Sequence, residues 1–221
     1  MYLCILKSIK NMQDSKNISA YRQSLKDRIL EVAMKAFALH GIKAVKMDDI
    51  AQMIGISKRT LYEVYANKEL LVYEGIKKHK EIHDLQMKQM SKESVNVMDL
   101  ILKIYRKQVE QYRQTCPEFF SDISRYPKAL KYLRENEAND MRQFIEFLKR
   151  GVSEGYFRAD LNVNMVALMF SAIATYINYH QLYKEYTLEQ IYANFVLVSL
   201  RGFCTALGTA TLDNMFAEEI K

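Results

Sequence analysis

The sequence predicts an all-α fold, and three observations predict it. Glycine and proline are scarce, at 7 and 2 in 221 residues. Average usage would give roughly 26 together. Tight turns draw on those two residues, so sandwiches, barrels and loop-rich α/β folds are excluded. Apolar residues recur at 3–4 spacing in one segment after another, and no convincing strand interrupts them. Apolar residues also make up 49% of the chain, enough for a buried core, which excludes wholesale disorder. The three cysteines, Cys4, Cys116 and Cys204, form no CxxC pair. That excludes a disulfide framework and points to a reducing, cytoplasmic compartment.

The elements run in order from the N-terminus. Residues 1–18 read as a poorly packed arm. Its apolar start, Met1 to Leu6, is broken by Lys7 and Lys10, whereas a secretory segment is longer and carries its charges in front. Met12 stands as an alternative start. Leu25, Ile29, Val32, Ala33, Ala36 and Phe37 stripe a first helix that Gly41 stops. Met47, Ile50, Ala51 and Ile54 stripe a second, closed by Gly55. Ser57 caps a third carrying Leu61, Tyr62 and Tyr65, and Asn67 caps a fourth running from Lys68 towards Met90. A fifth, Val97 to Tyr112, stops before Pro117. A long one carries Leu130 to Leu148 and ends near Gly155. Two very apolar helices are expected at about 163–184 and 187–207, and a short tail helix after Thr211.

The span Leu161 to Tyr183 holds no Asp, Glu, Lys or Arg. It is long enough for a bilayer at about 20 residues. Yet Asn162, Asn164, Asn178, His180 and Gln181 sit at its ends, so a core or interface helix is expected rather than a membrane span.

Charge is unevenly placed. Residues 1–80 hold 15 Lys/Arg and 8 Asp/Glu, a net of +7, while the remainder holds 17 and 18. The whole basic excess lies in the first third, which suggests that this end meets a polyanion. Within it, Ile50 to Val64 reads as two short helices joined at Gly55. Ala51 gives the small residue that close packing needs, and Gly55 tolerates the positive φ of the turn. Ile56, Leu61 and Val64 anchor the second helix. Lys58, Arg59, Thr60, Tyr62 and Glu63 are left at its outward start, the part that a helix-turn-helix presents to the DNA major groove.

The segments Ile29 to Phe37 with His40-Gly41, Met47 to Ala51, Gly55 to Tyr62 and Asn67 to Leu71 together resemble the N-terminal domain of the TetR family of bacterial transcription regulators. The resemblance covers about residues 25–72. It implies an all-helical homodimer whose first three helices bind a double-stranded DNA operator. The larger C-terminal part then dimerises and binds a small-molecule effector that releases the DNA. On that basis the domains are 19–67 for DNA binding and 68–221 for the effector and dimerisation. By position, Lys58, Arg59 and Thr60 fall on base and phosphate contacts, and Tyr62 and Lys68 on phosphate contacts. Lys46 departs from the family's Thr or Ser but still suits a phosphate, as a longer point charge. Glu63-Val64 replaces a common aromatic or His pair, so the operator sequence is not transferable. A helical small-molecule-binding protein and an activator on the same scaffold are the alternative readings.

The effector half carries less signal. Tyr105, Tyr112, Phe119, Phe120, Phe144, Phe147, Phe170, Tyr176 and His180 are candidate lining residues, though aromatic residues at helical spacing also build cores. Gly155 to Leu161 resembles the family's link into its dimerising helices. Phe170, Ile173, Ile177, Ile191, Phe195 and Val198 exceed what one core can hide, so these residues are expected at a dimer interface.

Catalysis is not expected, and neither is a cofactor or metal. Gly151-Val152-Ser153-Glu154-Gly155 fits the GxSxG hydrolase pattern, but that elbow needs a preceding strand. His79 and His83 are four apart without an HExxH frame or a third ligand nearby, and read as solvated.

Overall fold

The computed structural model describes residues 2–217, with side chains from Ala20 onward. Its helices are α1 (Tyr2–His40), α2 (Met47–Ile54), α3 (Lys58–Val64), α4 (Lys68–Glu93), α5 (Val97–Arg113), α6 (Pro117–Ile123), α7 (Pro127–Ser153) and α8 (Val163–Tyr179). A 3-10 turn (Leu182–Lys184) leads to α9 (Leu188–Ile191), a π-helical stretch (Tyr192–Leu197), α10 (Val198–Phe203) and α11 (Ala206–Phe216). The backbone of the expected N-terminal arm is helical and continuous with α1. How that arm packs lies outside the described side chains. Among the described residues no helix is long and apolar enough to cross a membrane.

The stripes form two cores. The first gathers Ile29, Ala33 and Phe37 of α1, Ile50 and Ile54 of α2, Leu61 of α3, and Leu71, Val72 and Ile76 of α4. Ala129 of α7 is buried in it, and Phe119, Ile123, Tyr126 and Leu133 pack against it. This core therefore extends beyond residue 67 into α4 and takes in residues of α6 and α7. The second core gathers Val97, Met98, Ile101 and Tyr105 of α5 with Leu148, Phe157, Ala167, Tyr192, Leu200, Phe203, Leu212 and Phe216.

α4 packs on α1 at one end and on α7 along its length. Lys80 ties that seam, reaching Asp84 at 2.6 Å and Asp140 of α7 at 2.8 Å. Arg150 of α7 closes the α4–α5 junction. It donates to the carbonyls of Ser91 and Ser94, each at 2.9 Å, and to Glu154 at 2.6 Å. Glu154 in turn accepts the Val97 N–H at 2.7 Å. One arginine fork thus satisfies carbonyls at the end of α4 while its partner caps the start of α5.

Four expectations are corrected. Pro117, expected only as a stop, opens the short helix α6, because a proline at the first helical position has no N–H to leave unsatisfied. The first very apolar helix ends at Tyr179 instead of about 184, since Gln181 takes a left-handed conformation with φ of 52°. The second breaks at Cys204, which is extended and pairs antiparallel with Phe157. Arg158 N–H donates to Phe203 at 3.0 Å and Thr205 N–H to Tyr156 at 2.9 Å. Thr205 then caps α11, so the tail helix starts at Ala206 and not after Thr211.

Gly151 and Ser153 are helical residues at the end of α7, with no strand before them, so the hydrolase pattern is a helix ending. His83 lies 3.5 Å from its neighbour Asp84. Among the described residues no three His, Cys, Asp or Glu side chains gather to hold a metal.

Candidate nucleic-acid interface and effector region

The helix-turn-helix is built by local chemistry. Gly55, at φ 77°, donates to Ala51 O at 3.0 Å, and Ile56 N–H reaches the same carbonyl at 3.0 Å. A left-handed residue that closes a helix in this way turns the chain sharply into α3. The Ser57 hydroxyl accepts Thr60 N–H at 3.1 Å and shares a hydrogen bond with the Thr60 hydroxyl at 2.8 Å. At the start of α2, the Asp49 carboxylate takes the Lys46 N–H at 2.8 Å. The starts of α2 and α3 lie side by side, because Lys58 of α3 ion-pairs with Asp48 of α2.

Lys46, Lys58 and Arg59 are exposed, Tyr62 is 46% exposed, and Thr60 is half-buried over the cap. The Asp48 carboxylate holds the Lys58 ammonium above its ordinary pKa, so the cation is firm. Arg59 meets Glu63 at 2.9 Å in a solvated pair. Exposed pairs of this kind exchange partners at little cost, leaving both cations free to meet phosphate.

Lys68 is placed differently. Its ammonium turns inward, over the Phe37 ring at 5.6 Å, and donates to the carbonyls of Ile42 and Val45. Burial lowers its pKa, and the attraction of Asp122 and Asp49 opposes that.

The nine candidate effector residues do not converge. Tyr105 packs with Tyr192 at 4.6 Å and Phe216 at 5.0 Å, ring centre to ring centre. Tyr112 stacks on Phe120 at 5.4 Å, and Phe120 also meets Phe119 and Tyr183. The Tyr112 hydroxyl is buried without a hydrogen-bond partner among the described residues, and burial pushes its pKa up to about 12. Phe144, Phe147 and Phe170 form a third group with Phe157 and Phe203. Tyr176 and His180, 4.2 Å apart, lie together on the exposed side of α8.

A recess of about 370 Å³ opens beside α5, lined by Tyr105, Arg106, Val109, Glu110, Arg113 and Gln114. Only Tyr105 among its walls is a candidate from the sequence. The rest escape sequence reasoning because a mixed polar stretch on one helix carries no signal until α9 is beside it, where Arg113 meets Glu189 at 3.1 Å.

The expected interface residues divide by face. Phe170 packs on Phe144 and Phe203, Ile191 is buried, and Ile173, Ile177 and Phe195 are half-buried. Val198 is exposed. The outward stripe of α8 is instead Met165, Leu168, Met169, Tyr176 and Tyr179, all exposed.

Comparison with known proteins agrees with this architecture. The model of the bacterial regulatory proteins of the tetR family matches residues 29–74. The HTH-type transcriptional repressor KstR2 of Mycobacterium tuberculosis is 24% identical over 149 residues, 65% of this chain and 74% of its own length. The structure of ketosteroid transcriptional regulator KstR2 from the same organism superposes with a TM-score of 0.55 at 22% identity, over 81% of this chain and 95% of that one. A TetR-family transcriptional regulator from Agrobacterium tumefaciens gives a TM-score of 0.66 at 15% identity, over 83% and 100% of the two chains. At those identities the solved structures speak to the fold alone. The family model lies on the very helices whose starts carry the exposed cations, so what the chain shares with the bacterial regulatory proteins of the tetR family is its N-terminal helix-turn-helix domain, residues 29–74.

Proposed function

We propose that the chain is a homodimeric transcriptional repressor that a small molecule releases from its operator. The observation that carries the reading is the paired, exposed start of α2 and α3, with Lys46, Lys58, Arg59, Thr60 and Tyr62 on the basic end of the chain. Such a face suits phosphates through its cations and base edges through its short polar groups. The outward stripe of α8, with Val198 of α10, suits a second copy. Two recognition helices held by that contact would enter successive major grooves about 34–36 Å apart. The similarity to KstR2, a transcriptional repressor, supports the repressing sense. The recess beside α5, or the group around the unpartnered Tyr112 hydroxyl, is where an effector would enter.

The test is selection and sequencing of DNA from a random pool with the purified chain. A two-fold symmetric consensus is expected, with half-sites about 10 base pairs apart or a multiple of that. Recovery of no consensus would overturn the reading.

A further inference from the structure

Asp122 of α6 and Ser94 are the buried polar side chains among the described residues, with Asp122 only 7% exposed. A buried carboxylate is costly unless it is well partnered. Its main partner is a backbone group from the other half of the chain: Asp122 Oδ2 accepts the Lys43 N–H at 2.6 Å. Arg125 approaches its other oxygen at 3.6 Å. α6 lies directly on the turn that joins α1 to α2. Cys116 N–H donates to Ala38 O at 2.7 Å. A Cβ on Gly41 would stand 2.9 Å from Glu118 Cβ, so only glycine lets α6 approach this closely.

The same turn is also held by α4. Lys68 of α4 takes the carbonyls of Ile42 and Val45. A cation thus gathers the carbonyls of the turn and an anion gathers an amide. The turn runs straight into Lys46, the residue that caps α2. Its shape therefore sets where α2 begins, and α2 sets α3 through Gly55 and the Asp48–Lys58 pair.

We infer that Asp122 is a positioning residue for operator binding, a carboxylate lent by the C-terminal half that holds the turn from which the DNA-binding face starts. The inference rests on the DNA-binding reading above. Two and three residues before Asp122, Phe120 and Phe119 pack together, and Phe120 also meets Tyr112 and Tyr183. A shift of α6 by about 1 Å along the bond would stretch the Lys43 contact beyond hydrogen-bonding range. The DNA-binding face would then lose one of its two supports.

The test uses the full chain and its selected operator. Asp122→Ala and the branched, apolar Asp122→Leu remove the acceptor, and Asp122→Asn keeps one. Affinity is read by fluorescence anisotropy over a salt series, melting by circular dichroism, and the Lys43 amide by hydrogen exchange. The first two variants are expected to lose Lys43 protection and to bind operator about tenfold more weakly or worse. The salt slope should be unchanged, because no phosphate contact is removed. Asp122→Asn is expected to restore most of the affinity. Wild-type affinity in a variant that has lost Lys43 protection would overturn the inference, and so would unchanged protection. Affinity loss that merely tracks a lower melting temperature, without rescue by Asn, would also overturn it. A wild type that binds no DNA would sink the functional reading, while Lys43 exchange still reports the hold itself.

Discussion

At the scale of residues, Lys68 shows what sequence conveys and what it hides. A lysine opening a helix at the end of a basic segment reads as a solvent-facing cation, and the family resemblance assigns it a phosphate. Its partners are carbonyls 23 and 26 residues upstream, brought to it only by the packing of α1 against α4. The two roles separate by salt. A cation on phosphate contributes about 0.9 to the slope of log affinity against log salt, and a cation on backbone carbonyls contributes nothing. Lys68→Met should therefore weaken binding to every DNA sequence while leaving the slope unchanged. Lys58→Met should lower the slope by about 1 and cost about 1–3 kcal/mol of discrimination at a particular base. Filter binding at four salt concentrations checks both, and a slope lowered by Lys68→Met would return that residue to the phosphate. Two glycines differ in the same instructive way. Gly55 has open space around it but a φ of 77°, so Gly55→Ala should cost about 1–2 kcal/mol through backbone strain alone. Gly151 has ordinary helical backbone, but a Cβ there would stand 2.1 Å from the Phe157 ring. Gly151→Ala should cost at least as much, about 1–3 kcal/mol, by overpacking. Urea unfolding of both variants measures the two costs.

At the scale of elements, the stripes are legible where a helix has one wet face and misleading where it has none. The stripes of α2 and α3 are clear, and the two helices are bounded by Lys46, Gly55, Ser57 and Tyr65. α8 is apolar nearly all round, so periodicity cannot say which side is buried. Sequence reasoning favours Phe170, Ile173 and Ile177, the side that faces the protein's own core. The exposed stripe lies on the other side, at Met165, Leu168, Met169, Tyr176 and Tyr179. If α8 forms the proposed dimer contact, Leu168→Glu should dissociate it and abolish tight operator binding while the monomer keeps its helical spectrum. Phe170→Glu should unfold the C-terminal half instead, because it puts a charge among Phe144 and Phe203. Light scattering beside circular dichroism distinguishes these outcomes, and a Leu168→Glu dimer would remove α8 from the interface.

At the scale of the whole molecule, charge placement is the most legible feature. The basic excess of +7 in residues 1–80 lies on the half that carries the helix-turn-helix. If about 6–10 phosphates are contacted, affinity should fall about 10³–10⁵-fold between roughly 50 and 200 mM salt. A flat response in a salt titration would contradict DNA binding through this face. The partition into two halves is less legible. α4 supplies Leu71, Val72 and Ile76 to the first core and then runs on along α7. A helix that serves two cores has no composition shift to mark the boundary. The effector region is the least legible, because aromatic residues fill three separate packing groups while the recess is walled mainly by polar side chains of α5.

The π-helical stretch at Tyr192–Leu197 has a consequence for phase. Each added residue in such a stretch rotates the remainder of the helix by about 100° relative to a regular α-helix. In a regular α-helix Leu200 would lie about 180° round from Ile191; the extra residue instead brings Ile191, Leu200 and Phe203 to one buried side and leaves Val198 on the surface. A single-residue deletion at the exposed Asn194 would convert the stretch to a regular α-helix and leave both flanks facing as they do now. Phe203 would keep Phe157 and Phe170, whose rings it meets at 5.1 and 5.9 Å, whereas a one-residue insertion after the stretch would turn it from them by about 100°. In this part of the chain, length rather than composition decides which side chains a partner would meet.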